Sequence, residues 1–290
     1  MTGTTGGLAV VLAGGGGKTL WGMGVLDSIR DLLPPVEHWA GVSAGAAMGL
    51  IQVSERIAVS LDYVVAAARA NPRNFYPGRA LRGGPVFPHE RLFRDSLGFV
   101  LAEGGFERVI AGAPVHILLS YVVAGRSGLR AGLEAFGAFT RRDRIGRLHG
   151  PSSPPPGMGV QVVRSTDASG PEQLIDWVLM SANTPVISRT VRIGGRRYID
   201  GALVDNVPVR ALPDHAKSGR VLVLLSSPKK VARRPLRTAE GGTILYLAPT
   251  EDTPARTWDY ASGDALQATI DAGRRDGEIL RKRVAELFEV

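Results

Sequence analysis

Short, wholly apolar runs alternate along the chain with stretches in which apolar residues recur every three or four positions. The short runs predict buried strands, and the periodic stretches predict helices. The strands are expected at Leu8 to Ala13, Val36 to Val42, Val115 to Ala124, Val160 to Arg164, Val221 to Leu225 and Ile244 to Leu247. The helices are expected at Leu20 to Leu33, Ala44 to Leu50, Ser54 to Arg69, His89 to Leu101, a segment that starts at Pro171, and a C-terminal segment capped by Ser262. This alternation indicates an α/β fold with a mainly parallel sheet covered by helices.

Two segments depart from the alternation. The short runs Val191 to Ile193 and Arg196 to Ile199 are separated by two glycines and predict a hairpin that leads to Asp200. The stretch from Arg126 to Gly157 has the least regular pattern, with several arginines followed by closely spaced prolines. We expect this stretch to be a surface excursion of one domain that spans residues 1–290.

The composition is that of a folded protein. The chain has 290 residues, of which 44% are hydrophobic and 21% are charged, and this balance excludes disorder. It contains no cysteine, which excludes a disulfide scaffold and a thiolate zinc site. The apolar stretch Ile117 to Ala124 is too short to cross a bilayer, and residues 1–7 lack the basic residues of a signal peptide. A cytoplasmic location is therefore expected.

The formal net charge of +8 favours anionic partners. Aromatic residues make up only 6% of the chain, and no zinc-finger, RNP-like or basic-zipper pattern accompanies the charge. Nucleic acid is therefore not an expected partner, whereas peripheral contact with an anionic membrane surface stays possible. Two basic stretches, Arg141 to Arg147 and Lys229 to Arg237, could make that contact, although solvated loops would explain them as well.

A glycine loop joins the first predicted strand to the first predicted helix and consists of Gly14, Gly15, Gly16, Gly17 and Lys18. A P-loop would need glycine where Leu12 stands, and a dinucleotide-binding fingerprint would need it where Thr19 or Leu20 stands. Both nucleotide-binding patterns are incomplete, and an ordinary glycine turn is an alternative. A glycine loop beside a helix N-terminus nevertheless presents backbone N–H groups to an anion.

Ser43 lies in the sequence Gly41-Val42-Ser43-Ala44-Gly45, between a predicted strand and a predicted helix. A G-x-S-x-G pattern at such a turn is typical of a nucleophile elbow, in which Gly41 and Gly45 leave room for the sharp bend. In a chain this rich in glycine the pattern could also arise by chance. Its position between a strand and a helix is what favours a nucleophilic serine.

Asp200 follows the predicted hairpin and begins the block Asp200-Gly201-Ala202. An Asp-Gly pair usually marks only a turn, so this block carries little weight by itself. Asp205 lies close by in the sequence and could form a hydrogen bond near the site, although a solvated loop carboxylate is the simpler interpretation of it.

In this order, the three motifs resemble those of the patatin-like phospholipase family. The glycine loop is similar to the family's oxyanion loop, Gly41 to Gly45 to its nucleophile elbow, and Asp200-Gly201-Ala202 to the block that carries its catalytic aspartate. Ser181 to Pro185 and Ala272 to Asp276 are similar to two further family segments. The resemblance is thin from Gly78 to Pro156, Thr19 stands where the family loop usually ends in glycine, and Lys18 stands where arginine is commoner.

The resemblance implies a three-layer α/β/α sandwich and a serine acyl hydrolase that needs neither a metal nor a cofactor. Asp200 would accept the Ser43 hydroxyl proton, Ser43 would attack an ester carbonyl, and water would then hydrolyse the acyl-enzyme. The glycine loop would stabilise the oxyanion. To act as a base near neutral pH, Asp200 would need a raised pKa and hence a buried position. The implied substrates are phospholipids, lysophospholipids or other small esters. Independently of the resemblance, residues 126–157, which include Phe136 and Phe139, could form a lid over an acyl groove.

Other mechanisms and functions stay open. A Ser-His-Asp triad would have to use His215, the only histidine after Asp200, and a surface position is the more natural expectation for it. The main alternative function is a non-catalytic lipid- or acyl-binding module of the same fold. A thioesterase or an acyltransferase that uses other acyl substrates is another.

Overall fold

The computed structural model describes residues 7–123, 128–184 and 192–289. Within them, the strands are β1 (Leu8–Leu12), β2 (Val36–Gly41), β3 (Val115–Val122), β4 (Met158–Arg164), β5 (Arg192–Ile193), β6 (Arg196–Ile199), β7 (Arg220–Leu224), β8 (Leu236–Arg237) and β9 (Thr243–Leu247). The α-helices are α1 (Leu20–Ile29), α2 (Ala44–Val53), α3 (Ile57–Ala70), α4 (His89–Leu101), α5 (Gly105–Ala111), α6 (Gly128–Arg144), α7 (Pro171–Ser181), α8 (Asp214–Lys217) and α9 (Gly263–Ala285).

The strands form one mixed sheet in the order β5-β6-β3-β2-β1-β7-β9-β8, and β4 also pairs with β3. The five central strands, in the order β3-β2-β1-β7-β9, run parallel to one another. Strands β4, β5, β6 and β8 pair antiparallel at the margins. The predicted α/β fold with a mostly parallel centre is therefore confirmed.

Both faces of the sheet are buried, as the wholly apolar strands require. On β1, Leu8, Val10 and Leu12 point into the larger core, where they join residues of α1, α2 and α9. The alternate residues Ala9 and Val11 point into a second core on the opposite face, which includes residues of the α8 region. Helices thus cover the sheet on both sides.

Two helix starts agree with their sequence signals. Pro171 is at the first position of α7, where its missing N–H costs nothing. The Ser262 hydroxyl accepts a hydrogen bond from the Ala265 N–H at the start of α9, which is the N-cap role expected of serine.

The segment 126–157 differs from its expected irregular form. Its larger part is α6, a 17-residue helix, because the spacing of Leu133, Phe136 and Phe139 is helical despite three glycines in the same stretch. Helix α5 and strand β8 were not predicted either. Residues 126–127 of the expected excursion, and Ala124, Pro185 and Val191 of three other predicted segments, lie outside the described residues.

No helix in the described ranges is both long and apolar enough to cross a membrane.

The pairing around β3 determines where the two chemical motifs lie. Strand β4 pairs with one edge of β3 along His116–Val122. Strands β2 and β6 therefore both pair with the other edge of β3. Strand β2 runs parallel to β3 and pairs with it as far as Ile117, while β6 runs antiparallel and pairs with it as far as Ser120. The C-terminal ends of β2 and β6 therefore point towards each other.

Candidate active site

Ser43 occupies a sharp turn between β2 and α2. Its backbone has φ 54° and ψ −128°, a conformation that is uncommon outside glycine and marks strain at functional sites. A side chain at Gly45 would collide with the carbonyl oxygen of Leu12, and one at Gly41 would collide with the backbone of Ala46. The two glycines of the predicted elbow thus permit a turn that any larger residue would disrupt.

Ser181, at the end of α7, fixes the backbone of this turn. Its hydroxyl accepts a hydrogen bond from the Ser43 N–H at 2.8 Å and donates one to the Leu118 carbonyl oxygen at 2.8 Å. Ser181 is fully buried, so this bridge between the elbow and β3 is shielded from water. Sequence reasoning noted Ser181 as part of a family-like segment but gave it no role.

Asp200 follows β6 and is buried, with 7% of its surface exposed. Its carboxylate accepts hydrogen bonds from the Ala202 N–H at 2.9 Å and from the Thr184 hydroxyl at 2.8 Å. Burial raises the pKa of Asp200 to about 6, because loss of hydration outweighs the hydrogen bonds that favour the ionised form. This environment provides the raised proton affinity that the sequence analysis required of a base.

The structure brings Ser43 and Asp200 together. The Ser43 hydroxyl donates to Asp200 Oδ2 at 3.4 Å, which is longer than an ordinary O–H···O hydrogen bond. Contacts of this kind are often long in the absence of substrate and tighten when it binds. Thr184 donates to the same oxygen over a shorter distance, so it holds the carboxylate in place beside the serine.

The glycine loop lies between β1 and α1 and is fixed at its ends. The Gly14 N–H donates to the Asn206 carbonyl oxygen at 3.1 Å, and the Gly17 N–H donates to the Thr257 carbonyl oxygen at 3.3 Å. The Thr19 hydroxyl donates to the Gly16 carbonyl oxygen at 2.7 Å, so the residue that replaces the usual glycine closes the turn.

Three N–H groups near this loop, those of Gly15, Gly16 and Ala44, donate to no acceptor among the residues that the structure describes. Ala44 directly follows Ser43 and is the first residue of α2, where the positive end of the helix dipole adds to the attraction for an anion. The three groups are therefore candidate donors for an oxyanion.

A cavity of about 300 Å³ joins these elements and is lined by the glycine loop, Ser43 and Asp200. Lys18, Arg147 and Lys229 contribute positive charge to its wall. Lys18 forms no ion pair with any residue in the described ranges. Two aromatic side chains at the rim, Phe136 and Trp258, are 46% and 44% exposed.

The histidines do not complete a triad in the described structure. His215 is exposed on α8, as expected, and bonds to His38, which in turn bonds to His116. His89 does line the cavity, but burial lowers its pKa to about 4, and its two ring nitrogens bond to the Tyr260 hydroxyl and the Ala182 carbonyl oxygen.

The interpretation of Asp205 as a solvated loop carboxylate was wrong. Only 1% of its surface is exposed, and its carboxylate pairs with Arg210 at 2.8 Å and accepts a hydrogen bond from the Gly150 N–H at 2.9 Å. The sequence gives no sign of the contact with Gly150, which lies 55 residues away along the chain. Asp205 ties the segment after α6 to the loop that follows Asp200.

A family model described as patatin-like phospholipase matches residues 10–213. The matched range covers more than half of the chain and includes the glycine loop, the elbow and Asp200. No curated protein matches the chain.

Proposed function

Since the chain belongs to the patatin-like phospholipase family, whose members are lipid acyl hydrolases, we propose that it hydrolyses acyl esters of lipids with Ser43 as nucleophile and Asp200 as general base. The observation that carries this proposal is the contact between the Ser43 hydroxyl and a buried carboxylate whose pKa is about 6. At pH 7 such a carboxylate is mostly ionised, yet it takes up a proton more readily than an exposed aspartate.

In the first half of the reaction, Asp200 accepts the Ser43 proton as Oγ forms a bond to the substrate carbonyl carbon. The negative charge that develops on the carbonyl oxygen is stabilised by the N–H groups of Gly15, Gly16 and Ala44, which have no acceptor among the described residues. Asp200 then gives the proton to the leaving alcohol as the ester bond breaks, which leaves an acyl-enzyme.

In the second half, water attacks the acyl-enzyme and Asp200 accepts a proton from it. Collapse of the second tetrahedral intermediate breaks the bond to Oγ, returns the proton to Ser43 and releases a fatty acid. In other hydrolases, removal of one donor to the oxyanion raises the activation barrier by about 3 kcal/mol. We expect each donor here to lower the barrier by a similar amount.

The test is hydrolysis of p-nitrophenyl butyrate by wild type, Ser43→Ala and Asp200→Asn. We expect both variants to lose at least 1000-fold in kcat/KM, because nucleophile and base act as one unit. Matched controls are Ser153→Ala and Asp252→Asn, which change exposed residues that do not line the cavity. Equal activity in all five proteins would refute the proposed dyad, and no ester hydrolysis by wild type would favour a non-catalytic acyl-binding module.

We further propose that the rim of the cavity meets an anionic lipid surface. Exposed aromatic side chains at Phe136 and Trp258 stand beside the cations Arg147 and Lys229, and this combination suits the interface of an anionic membrane. Co-sedimentation with vesicles of phosphatidylcholine, with and without phosphatidylglycerol, tests this. Trp258→Ala should weaken binding to the anionic vesicles, whereas Ile279→Ala on α9, 76% exposed and away from the cavity wall, should not. Equal binding by all three proteins would refute it.

A further inference from the structure

A second cavity, of about 100 Å³, lies beside the catalytic one. Its wall is mainly apolar and includes Ala44, Ala47, Met48, Val64, Leu97 and Leu266. Three polar residues border it: Thr19, whose hydroxyl is bonded to the Gly16 carbonyl oxygen, and the half-buried Ser96 and Asp259. This cavity is partly open to solvent, and a mainly apolar concavity with a few polar groups is typical of a ligand-binding site.

The second cavity lies within reach of the ester carbonyl. Ser43 lines the catalytic cavity and Ala44 lines the second one, and the Cα atoms of adjacent residues are only about 3.8 Å apart. Gly16, whose N–H is a candidate oxyanion donor, borders both cavities. A chain attached to Ser43 Oγ therefore starts at the boundary between them.

Two aromatic rings, Phe93 and Tyr260, form the rest of that boundary. Tyr260 is fixed: its hydroxyl bonds to His89 at 2.8 Å, and its backbone N–H and carbonyl oxygen bond to the side chains of Asn74 and Asn71, each at 2.7 Å. Phe93 is half-buried, and its ring packs against that of His89 with 4.5 Å between the centroids. Rotation of the Phe93 side chain would break no hydrogen bond that the structure describes, whereas rotation of the Tyr260 side chain would break its bond to His89.

We infer that the second cavity binds the outer carbons of the substrate's acyl chain and that Phe93 is the side chain that moves to admit them. The inference rests on the proposed function and names the part of the substrate that enters this space. An apolar chain fits because its entry removes both its own surface and the apolar wall of the cavity from water. The charged groups Lys18 and Arg147 line the catalytic cavity and not the second one, so a polar head group belongs on that side.

The size of the space predicts a preferred chain length. A volume of about 100 Å³ corresponds to roughly three water molecules in the liquid, and hence to about three or four methylene groups. With the carbonyl carbon at Ser43 and the next carbon at the boundary, the cavity is filled by an acyl group of about six carbons. The value of kcat/KM should rise by about fourfold for each methylene that is buried and level off beyond this length.

The experiment compares kcat/KM for p-nitrophenyl acetate, butyrate, hexanoate and octanoate. Ala67→Leu fills the cavity from α3, and Ala66→Leu makes the same substitution on the adjacent, exposed residue of that helix. The ratio of hexanoate to acetate kcat/KM should fall at least tenfold in Ala67→Leu and keep the wild-type value in Ala66→Leu. Phe93→Ala removes the ring between the two cavities, and kcat/KM should then level off at a longer acyl chain than in wild type.

A binding measurement separates this inference from the proposed function. Calorimetric titration of decanoate into Ser43→Ala, with and without Ala67→Leu, reports occupancy of the cavity without turnover. If wild type hydrolyses no ester but Ala67→Leu weakens decanoate binding at least fivefold, the acyl cavity stands and the hydrolase proposal fails. If esters are hydrolysed and the hexanoate to acetate ratio is the same in Ala67→Leu and Ala66→Leu, the acyl cavity is refuted and the hydrolase stands.

Discussion

Replacement of Thr184 by valine isolates the hydrogen bond that holds the Asp200 carboxylate. Valine has nearly the shape of threonine but lacks the hydroxyl that donates to Asp200 Oδ2 at 2.8 Å. This bond stabilises the ionised carboxylate and is one of the contributions that lower the pKa of Asp200 against the effect of burial. Its loss should therefore raise the pKa of Asp200 above its value of about 6.

The magnitude follows from the energy of the bond. Hydrogen bonds to charged groups contribute about 1.5–3 kcal/mol, and 1.36 kcal/mol corresponds to one pH unit in a titration. Because Thr184 is half-buried, we take the lower end, which is about one pH unit. The general base must be ionised to work, so kcat/KM should fall about tenfold at pH 5, while activity near pH 9 should be retained.

The assay is the pH dependence of kcat/KM for p-nitrophenyl hexanoate, from pH 4.5 to pH 9.5. Wild type should show an acid limb with an apparent pKa near 6. In Thr184→Val this limb should move to higher pH, and Thr184→Ser, which keeps the hydroxyl, should restore the wild-type profile. A limb at the same pH in all three proteins would refute the assignment of Asp200 as the titrating base.

Three further predictions concern stability, positioning and access. Because the pKa of Asp200 is raised from 3.8 to about 6, the folded state binds its proton more tightly than the unfolded state, and stability falls as pH rises through this range. In urea unfolding, the stability of Asp200→Asn relative to wild type should therefore increase by up to about 3 kcal/mol between pH 3.5 and pH 7, and a difference independent of pH would contradict this. Ser181→Ala removes the hydrogen bond from the Ser43 N–H and the one to the Leu118 carbonyl oxygen of β3, and it should lower kcat at least tenfold with little change in KM; an unchanged kcat would show that the elbow holds without this bridge. If α6 moves as a lid, proteolysis within residues 128–157 should change when micelles are added, and equal cleavage in both conditions would argue against a lid.

Much of the fold was predictable because β1, β7 and β9 are buried on both faces and therefore read as uninterrupted apolar runs. The marginal strands were harder. Strand β8 has only two residues, both exposed, so no burial pattern marks it. Helix α6 has a helical spacing of apolar residues, but its glycines and the prolines after it are typical of loops, and they obscured that spacing.

The candidate site was predictable only where local geometry leaves a mark in the sequence. The turn at Ser43 requires glycine at positions 41 and 45, so the elbow appears as a motif. Thr184 and Ser181 act through single hydrogen bonds to residues distant in the chain, and Phe93 and Tyr260 form a wall only once α4 and the segment before α9 have packed together. Contacts of this kind depend on tertiary structure, and no local sequence pattern predicts them.

Strands β2 and β6 pair with the same edge of β3 and point towards each other. The distance between Ser43 and Asp200 is therefore set by the register of these two pairings, and not by the length of chain between the two residues. Slippage of β6 by one residue would displace Asp200 by roughly 3.3 Å and turn its side chain to the opposite face of the sheet. Insertions in loops outside β3 and β6 leave that spacing intact, whereas a single residue inserted into either strand changes it. The hairpin that ends in β6, in which β5 has only two residues, is accordingly a segment whose length cannot change without moving Asp200.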